Sequence, residues 1–95
     1  MIIDYKNYKL RKICESKKEA EKALGRQVAE TLGKRLKELQ LLSLEKLLRN
    51  KIGGCHKLKG DRNNQYAMSL HNLFRLIFVV KKTETSTIIE IVDYD

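Results

Sequence analysis

Residues 65–80 read QYAMSLHNLFRLIFVV, and this stretch decides the fold. Tyr66, Met68 and Leu70 alternate with Gln65, Ala67 and Ser69, the period of a strand with one face on a core. His71 and Asn72 mark a tight reversal. Phe74, Leu76, Phe78 and Val80 then alternate with Arg75, Ile77 and Val79, a nearly continuous apolar run in which Arg75 is the only charge. Such a run belongs in the middle of a sheet, where both faces are covered. After a polar turn over Lys81 to Ser86, Thr87 to Val92 predicts a last strand that leads into Asp93, Tyr94 and Asp95.

The residues before this stretch have a different period. Met1 to Tyr5 is a short apolar run compatible with one strand, and a basic helix-like segment with Tyr8, Ile13 and Cys14 follows. Ser16, with Glu19 three residues on, is the pair expected of a capping box and predicts the start of a long helix. Ala20, Ala23, Leu24, Val28, Leu32, Leu36 and Leu39 recur at spacings of three and four, while Lys22, Arg26, Lys34, Arg35 and Lys37 fall mostly between them. One face therefore packs and the other is solvated and basic. The leucine pattern continues over Leu41 to Leu48 past Ser43, a candidate cap for a second, short helix, and Asn50 to Gly54 closes the helical half. Helices followed by a meander predict an α+β domain: an N-terminal strand and two helices packed on a mostly antiparallel sheet of four or five strands.

The chain of 95 residues has the size of one domain, residues 1–95, with enough apolar sequence to fold around a single core. Twenty Lys and Arg against 12 Asp and Glu give a formal charge of +8, which favours a polyanionic partner, nucleic acid first. No stretch approaches the roughly 18 to 20 uninterrupted apolar residues of a membrane span. Asp4 and Lys6 stand where a secretory signal needs its apolar region, so a cytoplasmic location is expected. Cys14 and Cys55 are too few and too far apart for a disulfide framework or a four-ligand zinc site, and two free thiols are expected.

The charge is concentrated between Lys46 and Arg62, where Lys46, Arg49, Lys51, Lys57, Lys59 and Arg62 stand against Asp61 alone. Such a cluster suits the phosphates of a nucleic-acid backbone, and a merely solvated loop is the competing reading. His56 lies inside it. His is the side chain best suited to proton transfer near neutral pH, and a neighbouring Lys or Arg stabilises the charge that grows on a pentacovalent phosphorane. In an extended segment His56 and Lys59 face opposite sides, so a shared site needs a bend, which Gly60 is placed to supply. Cys55 beside His56 suggests a thiol nucleophile, but neighbours in a strand point apart and no orienting acid is apparent. Arg75, within its apolar strand, requires an anion, either Asp93 or a bound phosphate, in a structural ion pair or a substrate site. Tyr94 is placed either to stack on a base or to pack. Neither a Gly-rich phosphate loop nor a metal-ligand cluster is present, so no cofactor and no metal are expected.

His56, Lys57, Leu58, Lys59, Gly60, Asp61 and Arg62, then Phe74 to Phe78, then Asp93 and Tyr94, together resemble the HigB-type "killer" branch of the RelE/ParE toxin superfamily. The likeness extends over nearly the whole chain, and its specific part lies in roughly the last forty residues. The resemblance implies a RelE-like fold and a toxin of a type II toxin–antitoxin pair. Its activity would be that of a metal-independent endoribonuclease that cuts translated messenger RNA at the ribosome. It implies as partner a cognate antitoxin of the HigA type, carrying a helix-turn-helix and alone contacting the operator DNA, and no membrane. By position His56 and Lys59 match the family's catalytic His and Lys, Arg75 its sheet arginine, and Asp93 and Tyr94 its terminal acid and aromatic. Lys46, Arg49, Lys51, Lys57 and Arg62 are then candidates to bind the RNA backbone. Many relatives place a His directly after the Asp-Tyr pair, where this chain has Asp95; an acid cannot replace a cation beside a phosphate, so His56 alone carries the proton transfers or the activity is weaker. Tyr66 represents the family's usual aromatic of the first long sheet strand. A gyrase poison of the ParE type and a non-catalytic module that binds RNA or antitoxin are the rival readings.

Overall fold

The computed structural model describes residues 1–62 and 64–95. Along the chain lie β1 (Ile2–Tyr5), α1 (Tyr8–Glu15), α2 (Lys17–Leu24), α3 (Arg26–Leu41), α4 (Leu44–Arg49), β2 (His56–Lys57), β3 (Gln65–Ser69), β4 (Arg75–Lys82) and β5 (Thr87–Tyr94). Tight 3-10 turns occupy Ile52–Gly54 and Gly60–Arg62. The five strands form one sheet in the order β1-β5-β4-β3-β2. β1 runs parallel to β5 and the other neighbours are antiparallel. This is the α+β arrangement expected, and the apolar run of β4 occupies its middle.

Short polar side chains set the helix starts. The side-chain oxygens of Asn7, Ser16 and Ser43 accept from the backbone N–H groups of Leu10, Glu19 and Lys46, satisfying donors that a helix leaves free in its first turn. Only half of the expected capping box forms at Ser16. Its own N–H donates to the Lys12 carbonyl and ends α1, so Glu19 turns instead toward the Lys12 ammonium at 3.9 Å.

The single long helix expected from Ser16 onward is two helices. Gly25 breaks it with φ +85° and ψ 163°, a conformation open essentially to glycine alone. Its N–H closes α2 on the Glu21 carbonyl, and its own carbonyl accepts from Ala29 to open α3. The three-and-four spacing of apolar residues continues across the break because both helices present that face to the same core.

The core lies between the helices and one face of the sheet. Ile13, Ala20, Val28, Leu32, Leu36, Leu39 and Leu47 pack against Met68, Leu76, Phe78, Ile89 and Ile91. Phe78, Leu39, Leu47, Ile89 and Ile91 are fully buried. Each such side chain contributes about 1.5–3 kcal/mol by leaving water. The other face of the sheet carries no helix, and the residues of interest lie there. Among the described residues no helix is long and apolar enough to cross a membrane.

Candidate functional site on the open face of the sheet

Strand register decides which side chains share a face. His56 pairs with Ala67, Ala67 with Ile77, and Ile77 with Asp93, so these four residues form one row across β2, β3, β4 and β5. The rows on either side, Tyr66 with Phe78 and Met68 with Leu76, point into the helix-side core. The His56 row therefore faces away from the helices. Asp93 reaches that side because of a bulge: Phe78 pairs with Ile91 and Ile77 with Asp93, which leaves Val92 as an extra residue in β5. In a regular strand Asp93 would share the face of Ile91.

The same register sends Tyr94 the other way. It pairs with Leu76 and packs against the helix-side core, where it lines a cleft with Asn7, Lys9, Leu10, Val92 and Asp93. The structure does not bring it to the face that carries His56 and Arg75, whereas Asp93 pairs into the His56 row and also borders this cleft. His56 and Asp93 themselves stand three strand spacings apart, roughly 14 Å between Cα atoms. They form no hydrogen-bonded pair and can only act on opposite sides of a ligand.

Arg75 finds its anion in Asp95, not in Asp93. Its Nε and Nη2 donate to Asp95 Oδ1 and Oδ2 at 3.0 and 3.3 Å, while the two backbones exchange hydrogen bonds of 2.6 and 3.0 Å. Asp93 instead accepts from the N–H of Tyr94 and has no ion pair among the described residues. Arg75 is also less buried than its apolar neighbours suggest. It starts the strand, and its side chain keeps 39% of its exposure.

Arg62 completes this arrangement from the loop before β3. Gly60 takes φ +70° at the start of the turn Gly60–Arg62, after Lys59. The Arg62 Nε donates to Gln65 Oε1 at 2.8 Å and its Nη1 to Asp95 Oδ2 at 3.2 Å. Gln65 is on β3 and Asp95 follows β5, so the guanidinium spans β4 on the open face. Ala67 and Ile77 are fully buried yet lie outside the helix-side core, which fits a cover formed by this segment. Burial opposes ionisation of Asp95, but hydrogen bonds and charge from Arg75 and Arg62 outweigh it and hold the carboxyl below the ordinary range.

His56 is exposed, and its Nδ1 sits 2.8 Å from the Gly54 carbonyl oxygen. A carbonyl can only accept, so Nδ1 carries the proton and a neutral ring presents Nε2 as its free nitrogen. Lys57 and Lys59 are exposed and unpaired among the described residues, as are Lys46 on α4 and Lys51 after it. Arg49 of the same cluster is tied to Glu45 one turn back. Cys55 is buried, and burial pushes its thiol up to about 11, which removes it as a nucleophile near neutral pH. Among the described residues no three His, Cys, Asp or Glu side chains converge as metal ligands would.

Arg35 departs from the solvated helix face on which its spacing places it. Its Nε donates to the Ser69 carbonyl at 2.8 Å and its Nη1 to Glu38 at 2.8 Å, leaving 14% of the side chain exposed. It joins α3 to the strand end where Ser69 pairs with Arg75. The guanidinium lies so close to Gly53 that a Cβ there would approach Nε to 2.6 Å. The glycine pair at 53–54 is the one sequence signal of that close approach.

No protein-family model matches the chain, and no curated protein does. Among solved structures it is similar to a YoeB/ParE toxin from Agrobacterium tumefaciens, with a TM-score of 0.66 over 99% of this chain and 95% of that one. The chain has the fold of that toxin. Sequence identity between the two is 12%, so the likeness is one of architecture, and the side chains above must be judged on their own geometry.

Proposed function

We propose that the chain is the toxin of a type II toxin–antitoxin pair, of the HigB type, and a ribosome-dependent endoribonuclease that cuts translated messenger RNA. The observation that carries this reading is a toxin-like fold in whose sheet register His56 and Asp93 share one row and Arg75 stands two residues from it along β4. Asp93 or His56 takes the proton of a ribose 2′-hydroxyl, whose oxygen attacks the adjacent phosphorus. The 5′-oxygen leaves and receives a proton, and a cyclic phosphate remains. Arg75 and Lys59 stabilise the charge on the phosphorane oxygens, each such contact contributing most when it strengthens in the transition state. Roughly 14 Å between the His56 and Asp93 backbones suits proton transfer on opposite sides of one phosphate. Tyr94, packed toward α1, fits a role in positioning β5 better than stacking on a base. Lys46, Arg49, Lys51, Lys57 and Arg62 supply backbone affinity that weakens with salt. The partner that neutralises the protein is a cognate antitoxin of the HigA type.

The test is to induce the wild type and His56→Ala in a host without the antitoxin while growth and transcript 5′ ends are followed together. New cuts inside translated messages that vanish in the variant are expected. Undiminished toxicity of both His56→Ala and Lys59→Ala would overturn the reading. The ParE part of the structural neighbour's name favours one second reading, poisoning of DNA gyrase, which predicts a DNA-damage response with transcripts intact.

A further inference from the structure

Three N–H groups from two guanidinium ions converge on the Asp95 carboxylate: Arg75 Nε and Nη2 at 3.0 and 3.3 Å, and Arg62 Nη1 at 3.2 Å. All three side chains keep between 37% and 39% of their exposure, so solvent and solutes reach the cluster. Guanidinium groups bind carboxylates and phosphates through the same forked geometry. We propose that Arg62 and Arg75 form a phosphate clamp which Asp95 fills in the free protein, and that a phosphodiester of RNA binds there by displacing the Asp95 carboxylate. The identity of the ligand rests on the reading above, but occupation of the clamp does not depend on cleavage.

Holding β5 in place does not require the side-chain contact. The Arg75 and Asp95 backbones already exchange two hydrogen bonds, so the carboxylate is free to swing out while the strand end stays paired. The surroundings favour an anion from outside. The chain carries +8 overall, which draws polyanions to its surface. Asp95 therefore acts as an internal competitor. A ligand that needs a state populated only part of the time loses apparent affinity in that proportion. Exposed ion pairs hold each other only weakly, so removing the competitor tightens binding by about fivefold at most.

The experiment measures binding of a 2′-O-methyl RNA hexamer, which has no hydroxyl to attack, to the wild type, Asp95→Asn and Asp61→Asn by fluorescence anisotropy. Asp61→Asn removes the same charge from an exposed neighbour of Arg62. Asp95→Asn is expected to bind about threefold to fivefold more tightly and Asp61→Asn to match the wild type within about 1.5-fold, with the gain lost when Arg62→Ala is added. Equal gains in the two asparagine variants, or no gain in Asp95→Asn, would overturn the clamp. A measurement on the wild type guards against a variant that misfolds: saturating pyrophosphate should shift the Nε–H resonances of Arg62 and Arg75 together, and unmoved resonances would also overturn it. Tighter binding by Asp95→Asn with no transcript cut by any form would leave the clamp standing and remove the ribonuclease reading alone.

Discussion

Asp95 sets the charge balance of the open face, and its ionisation couples that face to stability. Arg75 and Arg62 hold its folded-state pKa below the unfolded value of 3.8 despite some burial. A carboxyl depressed in this way contributes stability that is present above the unfolded pKa and is lost as pH falls through the folded one. Denaturant unfolding of the wild type and Asp95→Asn should therefore differ at pH 6, by less than about 1 kcal/mol for so exposed a pair, and converge as pH falls through the folded-state pKa. Curves that stay parallel would mean the contact is not ionic in effect. That Arg75 has an anion beside it was legible in the sequence, because a guanidinium within an apolar run requires one. The partner of Arg75 was not, since Asp93 and Asp95 are equally acidic and only strand register tells which one reaches it. Arg35 was hidden for a related reason: helical spacing assigns it to solvent, and only the carbonyl of Ser69, 34 residues away, draws it in.

Among the elements, the helix caps at Ser16 and Ser43 could be recognised from local sequence because they are local hydrogen bonds. The break at Gly25 could not, because the apolar spacing runs through it without interruption. A Cβ at Gly25 would touch nothing within 4 Å, so any penalty for Gly25→Ala comes from the backbone alone. Forcing an L-residue into φ +85° should destabilise the protein by about 1–3 kcal/mol, measured by chemical unfolding. A neutral effect would show that α2 and α3 adjust their junction freely. The Val92 bulge was equally invisible, since Ile89, Ile91 and Asp93 look like one regular alternation. Deleting Val92 should make β5 regular and leave Asp93 opposite Ile77 on the open face, so the transcript cuts expected of the wild type should persist in a variant that remains folded.

At the level of the whole molecule the sheet is built around β4, whose Phe78 is fully buried and stacked on Tyr66 at 5.5 Å between ring centroids. Phe78→Ala should cost about 3–5 kcal/mol, a large share of the stability of a domain this small, and appear as loss of cooperative thermal unfolding. The central place of β4 was legible from its unbroken apolar run, whereas the parallel placement of β1 was not, because it depends on a partner at the far end of the chain. Ile3 lies opposite Ile89, so β1 has no strand partner until residues 87–94 exist. Closing so long a loop is slow and comes late. During translation β1 leaves the ribosome first and waits, and Asp93 and the clamp on Arg75 arrive with the strand that it is waiting for. An unfinished copy of the chain therefore carries no assembled open face: His56 and Arg75 are already made, but the strand that completes the sheet beside them is not.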